Sequence, residues 1–488
     1  MSIVKRKIGN ATLYLGDCLE VMAKLKRERY DSVCCDPPYG IAFLGLKWDL
    51  FKDKKELRGN KAFQAWTEDW ASQALRVLKP GAHLLSFCGT RTYHRMASGI
   101  EDAGFEVRDQ MAWMYGSGFP KGLDVGKMIG KVERGVPQGT ADPDGPNHGK
   151  WAERKAIKHV GPSGIFKREH DVNGFNKKGL SKEDPRLAKM SELALSYLDW
   201  NTALKPAWEP VCLARKPLEG TVVDNVLKYG TGAMNIGACR VEHVTVGDGN
   251  LALNPHLRKG ISGGNGGSII RKEDSRRVVI PDAAGRWPAN VVHDGSPEVM
   301  AAFNAFGHKK SGTGAVRRSE THSFSIGKES RAVGTEMISY GDKGSAARFF
   351  YCAKVSRKER SFGLPTDRPN KHPTVKPVAL CRWLLRLATP TGGRVLDPFM
   401  GSGSMGIAAL REGFKYIGIE QDPVHFETAC ARLQAELNTQ TESATPPKKA
   451  SKRRVKRRDD TRQAKKVRKQ AKKVRKNAKA REYADQAT

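Results

Sequence analysis

The sequence of 488 residues predicts an α/β fold built on a mixed, mostly parallel sheet. Three observations carry that expectation. Tyr30-Asp31-Ser32-Val33-Cys34-Cys35 is a short apolar run, halted at once by Asp36-Pro37-Pro38-Tyr39. Gly393 to Glu420 reads as strand, glycine-rich turn, helix and second strand, a βαβ unit. Trp208 to Lys216 reads as a further strand that closes the sheet.

Taken in order, the chain starts a strand at Thr12-Leu13-Tyr14-Leu15, which ends at Gly16-Asp17. Leu19, Met22 and Leu25 follow at helical spacing, and Asp17 is placed to cap that helix. The short run Tyr30–Cys35 reads as a buried strand of a parallel sheet. Two prolines cannot extend it, because they lack N–H donors and fix φ. The chain therefore leaves the sheet at Asp36, at the carboxyl end of the strand. Open α/β sheets bind ligands at that edge.

The tetrapeptide Asp36, Pro37, Pro38, Tyr39 offers a carboxylate, a carbonyl without a ladder partner and a flat ring. Those groups suit an exocyclic NH2, which has two hydrogens to donate and a ring to stack. The competing reading is a plain strand-to-loop turn with an exposed Asp.

Gly40 to Asn60 is mixed and charged, an expected active-site loop. Trp66 and Trp70 share one helix face, which predicts burial. Lys79-Pro80-Gly81 is a turn, Ala82–Gly89 a strand and Gly104–Trp113 another. From Gly116 to Leu204 periodicity weakens, which predicts an irregular insertion.

In the βαβ unit, Gly401 and Gly403 permit positive φ and close ligand approach. Glu420, ending the second strand, could bind ribose hydroxyls. Gly401, Gly403 and Gly406 also match G-x-G-x-x-G, with Glu420 about 20 residues on, the spacing of a dinucleotide site. Asp397 would repel a pyrophosphate there and would welcome the cationic, phosphate-free S-adenosylmethionine. Both ligands stay open on this unit alone.

Together the two motifs resemble those of the DNA amino-methyltransferases, marked by (D/N/S)PP(Y/F/W) and FxGxG. Phe399-Met400-Gly401-Ser402-Gly403 fits the second. Tetrapeptide first, long insert, glycine loop last is the order of that family's β group. The resemblance spans residues 10–120, 205–216 and 370–435. It implies a circularly permuted Rossmann-like methyltransferase core of phage or bacterial type, with an antiparallel edge strand.

On that reading residues 1–120 form the catalytic half and 121–204 the irregular insertion. Residues 205–217 give the closing strand and 218–348 a target-recognition region. Residues 349–440 form the donor-binding half and 441–488 a basic disordered tail. S-adenosylmethionine is the implied cofactor. Asp17 would contact its adenine, and Thr374 and Lys376 of His372-Pro373-Thr374-Val375-Lys376-Pro377 its methionine end. Asp397, Phe399, Gly401, Ser402, Gly403 and Glu420 would complete its site, and Asp36, Pro37, Pro38 and Tyr39 would be catalytic.

The family's N4-cytosine enzymes tend to carry Ser at the first tetrapeptide position. Asp36 therefore points to N6 of adenine, with N4-cytosine as the alternative. An NAD-binding enzyme and a non-catalytic DNA-binding protein are more distant readings.

Composition sets the outer bounds. The net charge is +33; residues 448–488 hold 19 Lys/Arg and 4 Asp/Glu, supplying +15 and leaving +18 on the body. Both parts predict a polyanionic partner, double-stranded DNA. Arg271-Lys272, Arg276-Arg277 and Arg317-Arg318 would serve phosphates or base edges. The tail repeats Lys-Lys-Val-Arg-Lys from Lys465 and again from Lys472, too poor in apolar residues for a coiled coil. No apolar run approaches membrane-spanning length and no signal peptide opens the chain, so a bacterial or phage-infected cytoplasm is expected. Nine cysteines without C-x-x-C spacing predict reduced thiols and no metal site. A homodimer is one assembly open to such a chain.

Overall fold

The computed structural model describes residues 3–41, 47–51, 53–54, 57–58, 60–118, 122–136, 189–242, 261–263, 267–271, 277–281, 285–310, 315–316, 336–337, 343–354 and 356–444. Contacts divide the chain into Met1–Leu437 and Asn438–Thr488. The second unit is described only to Ala444, the end of the helix Pro423–Ala444. The tail repeat, Arg317-Arg318, Lys272 and Arg276 lie outside the described residues, as do residues 137–188 of the insertion.

Unit one is organised on a sheet of ten described strands. In chain order they are β1 (Val4–Ile8), β2 (Ala11–Leu15), β3 (Tyr30–Cys35), β4 (Leu78–Phe87) and β5 (Glu106–Met114). Then come β6 (Trp208–Arg215), β7 (Val291–His293), β8 (Tyr351–Cys352), β9 (Arg394–Asp397) and β10 (Lys415–Glu420). Their spatial order is β1-β2-β10-β9-β3-β4-β6-β5-β7-β8. The run β2-β10-β9-β3-β4 is parallel throughout. The fold is Rossmann-like, a mixed, mostly parallel sheet.

Strand β6 is antiparallel to both neighbours, β4 and β5, as the sequence led us to expect of its direction. Its place differs. It lies inside the sheet, hydrogen-bonded on both sides, and Pro210 to Ala214 are buried. The edge position is thereby corrected: β7 and β8, too short to show a period in sequence, extend the sheet beyond β5. One of these, β7, comes from the 218–348 stretch.

Helices cover both faces. Asn60–Val77 buries Phe63, Trp70, Ala71 and Ala74 on one side, and Val378–Ala388 buries Trp383, Leu384 and Leu385 on the other. Every residue of β3 is buried, Asp31 against Lys79 and Ser32 against Thr389. A sheet covered on two faces exposes only its edges and strand ends, and the carboxyl ends of the parallel strands gather the residues considered next. No described helix is long and apolar enough to cross a membrane.

Candidate active site

Strands β3 and β9 are parallel neighbours, with Val395 opposite Ser32 and Leu396 opposite Val33. The two motifs that the sequence singles out therefore leave adjacent strands, about 4.8 Å apart, at the same edge. Asp36 follows β3 and Asp397 ends β9.

At the first motif, Asp36 accepts from two donors. Tyr39 donates its hydroxyl to Oδ1 at 2.7 Å, and Lys376 donates from Nζ to Oδ2 at 2.8 Å. Lys376 also lies 3.1 Å from Glu209 Oε2 and 3.1 Å from the Tyr39 oxygen. Glu209 Oε2 is 3.3 Å from the same phenol, and burial, then the nearby Glu209, pushes the Tyr115 phenol up. Burial pulls the Lys376 ammonium down, but Asp36 and then Glu209 outweigh it and hold its pKa above the usual value. Burial, then the nearby Asp36, pushes the Tyr39 phenol up, so it stays a donor. Among the described residues nothing donates to the Pro37 carbonyl, which leaves it an acceptor. Past the motif, Asp49 accepts from the amides of Gly40 at 2.7 Å and Ile41 at 3.1 Å, which fixes the turn.

At the second motif, Gly401 and Gly403 have φ of +53° and +82°, the left-handed region expected of them. Protein packing adds to that requirement. A Cβ on Gly401 would meet His372 Nε2 at 2.8 Å, and one on Gly403 would meet Leu433 at 2.7 Å. Ser402 is buried, and Arg432, fully buried itself, donates to its carbonyl and, at 3.2 Å, to its Oγ. Arg432 also reaches the Glu359 carbonyl at 3.1 Å, and burial lowers its pKa to about 10. Phe399 packs its ring on Trp66 and Trp70, at 5.5 and 5.4 Å between centroids; Trp70 is core, as its spacing suggests, and Trp66 is half-buried against it.

Asp397 is buried beneath this loop. Its oxygens accept from the Tyr416 hydroxyl at 2.8 Å and from the Phe399 amide at 3.1 Å, and burial pushes its pKa up to about 7. Glu420 accepts from the Gly401 amide at 2.8 Å and the Asp422 amide at 2.9 Å, with its pKa raised by burial to about 6. Asp17 is exposed and caps the helix Cys18–Ala23 by accepting from the amides of Leu19 and Glu20. It stands beside the end of β10, because the Gly16 amide donates to the Glu420 carbonyl at 2.9 Å.

Four loop amides and the charge of the edge bear on the two ligands left open above. A pyrophosphate needs free N–H donors. Those of Phe399, Met400, Gly401 and Gly403 already donate to Asp397, Ile419, Glu420 and Met400 respectively. What the edge offers is carboxylate: Asp17, Glu420 and Asp36. That suits a cationic, phosphate-free donor better than a dinucleotide.

Most of the expected residues thus converge on one edge. Lys376 is the exception in partner, for its cation is held by Asp36 and Glu209 at the first motif. Thr374, from the same element, is exposed. Glu209 and Arg432 were not singled out from sequence. Arg432 had a signal: it sits among Phe426, Ala429 and Leu433 on the buried face of its helix. Glu209 had only its place before a proline at the start of a strand. Among the described residues no group of His, Cys, Asp and Glu could hold a metal ion.

Residues 30–128 and 317–431 match the family model described as DNA methylase. The type II methyltransferase M.HindIII of Haemophilus influenzae is 24% identical over 254 residues, 46% of this chain and 64% of that protein. The type II methyltransferase M2.DpnII of Streptococcus pneumoniae is 42% identical over 69 residues, 14% of this chain and 26% of that one. The chain spans less than two thirds of the length of these curated relatives. Among solved structures, the M1.HpyAVI–SAM complex aligns with 87% of this chain and 98% of that one, at 13% identity and a TM-score of 0.32. The cytosine-N4-specific PvuII DNA methyltransferase aligns with 88% and 93%, at 14% identity and 0.37.

Proposed function

We propose that the chain is an S-adenosylmethionine-dependent DNA methyltransferase that acts on an exocyclic amino group, N6 of adenine. The observation that carries this is the shared edge: Asp36-Pro37-Pro38-Tyr39 and the loop Phe399–Gly403 leave neighbouring parallel strands side by side. The family match across both motifs supports it.

The donor supplies a methyl carbon on a cationic sulfur. Glu420, Asp17 and the Phe399–Gly403 loop would hold it, with Thr374 near its methionine end. A base inside a duplex cannot reach that carbon, so the target is flipped out at a cost of a few kcal/mol. Tyr39 offers its ring to the flipped base and recovers part of that cost. Asp36 and the Pro37 carbonyl accept the two amino hydrogens, which draws the nitrogen lone pair out of conjugation and aims it. Orientation and electrostatics then lower the barrier. Asp36 need not be a strong base, because the nitrogen turns acidic once methylated. Adenine over cytosine rests on Asp36 at the first position of the tetrapeptide. Residues 218–348 would read the DNA, and the tail from residue 441 would add salt-sensitive, non-specific affinity. Double-stranded DNA is the partner; a homodimer would be compatible.

The test is nucleoside mass analysis after incubating the protein with unmethylated DNA and donor. N6-methyldeoxyadenosine is the expected product; N4-methyldeoxycytidine would move the target to cytosine. Asp36→Ala should abolish the product and spare DNA binding. No methylated nucleoside from the wild-type protein on any DNA would sink the enzyme reading.

A further inference from the structure

We propose that Glu209 is a positioning residue for this reaction: its charge offsets Lys376 and leaves Asp36 free to serve the amino group. The inference rests on the methyltransferase reading and extends it to a residue outside both motifs.

Lys376 has three N–H donors, and Asp36, Glu209 and the Tyr39 oxygen lie within reach of all three. The cluster is sheltered: the side chains of Lys376, Asp36 and Glu209 are 8%, 19% and 22% exposed. Asp36 and Lys376 alone would form a formally neutral pair. A neutral pair gives little to a nitrogen that is becoming positive. With Glu209 the cluster holds one net negative charge, in a setting where attraction is less screened than in water.

The balance of the step shows where that charge is used. The amino nitrogen forms a bond to the methyl carbon, the carbon–sulfur bond breaks, and its electron pair stays on sulfur. The nitrogen is left positive until one of its protons departs. Asp36 can take that proton, and the three-residue cluster then becomes neutral instead of cationic.

Glu209 has a second task at the same place. The Tyr39 hydroxyl now occupies Asp36 Oδ1. A base that claims this oxygen displaces the hydroxyl, and Glu209 Oε2, already 3.3 Å away, receives it. The carboxylate is held steady for both tasks, because Glu209 lies on β6 opposite Trp113 of β5, inside the sheet.

The test compares wild type, Glu209→Gln, Lys376→Met and the double variant on unmethylated phage DNA, with radiolabelled donor in single turnover. Donor binding by calorimetry serves as the check on folding. Glu209→Gln should slow methyl transfer at least tenfold, with the donor Kd changed less than threefold. In the Lys376→Met background the same substitution should cost less than threefold, since Asp36 no longer shares its charge. That comparison stands even if Glu209→Gln alone fails to fold. Equal losses in both backgrounds, or wild-type rates for Glu209→Gln, would overturn the proposal while the enzyme reading survived. A wild-type protein that methylates nothing would instead remove the reading beneath it.

Discussion

Lys376 and Asp36 stand 340 residues apart in the chain and are joined by a 2.8 Å bond from Nζ to Oδ2. The element His372–Pro377 is therefore tied to the Asp36–Tyr39 turn as well as to the glycine loop, where His372 faces Gly401.

From this pairing, Lys376→Met should leave the donor Kd within threefold of wild type. A cation that held the donor's carboxylate would instead raise that Kd tenfold or more. Removing one partner of a buried pair also strands the other charges, so urea unfolding should show a loss on the order of 3 kcal/mol.

Arg432→Met should loosen the loop it holds from below. The Ser402 carbonyl and hydroxyl lose their donor. The expected results are a donor Kd raised about tenfold by calorimetry and a stability loss of about 2–4 kcal/mol, that of a broken buried polar network.

Gly403→Ala and Gly413→Ala form a matched pair. Both glycines have positive φ, +82° and +75°. An added methyl at 403 meets Leu433 and Ala429, whereas nothing lies within 4 Å at 413. Gly413→Ala should cost about 1–2 kcal/mol, the backbone term alone. Gly403→Ala should cost that and roughly 1–3 kcal/mol more for overpacking, both read from urea midpoints.

The raised pKa of Asp397 gives a pH signature. Its folded value, about 7, lies above the ordinary 3.8, so the native state holds a proton that the unfolded chain releases. That contribution is full below pH ~4 and is lost as pH rises to about 7; Glu420 acts in the same direction up to about 6. His372 acts oppositely, since its value falls to about 3 through burial and the neighbouring His425, and it favours the fold as pH rises. Asp397→Asn isolates the first effect. Its stability relative to wild type should improve steadily between pH 4.5 and 7.5 in urea titrations.

NAD should bind far more weakly than S-adenosylmethionine by calorimetry, because four amides of the loop are already engaged by Asp397, Ile419, Glu420 and Met400.

Local signals in the sequence reached the elements whose environment is uniform. Tyr30–Cys35 is buried on both faces and ends where Pro37 and Pro38 forbid a ladder, so its bounds could be read directly. The unit from Gly393 to Glu420 was legible because a strand, a glycine turn and a helix follow within one short segment. What escaped depends on distant chain. The interior position of β6 is set by β4 and β5 pairing on its two sides, and nothing within Trp208–Arg215 encodes which neighbours it will have. Lys376 looked like a donor ligand through the family element that His372–Pro377 resembles; its partners are Asp36, just past β3, and Glu209 on β6. The positive φ of Gly401 and Gly403 was legible, but the packing of His372 and of the helix from Pro423 against them was not.

Because the acceptor pocket draws Asp36, Glu209 and Lys376 from the start, middle and late part of the chain, it cannot exist while the polypeptide is still short. A ribosome making this protein exposes an inert product until the element around Lys376 has emerged.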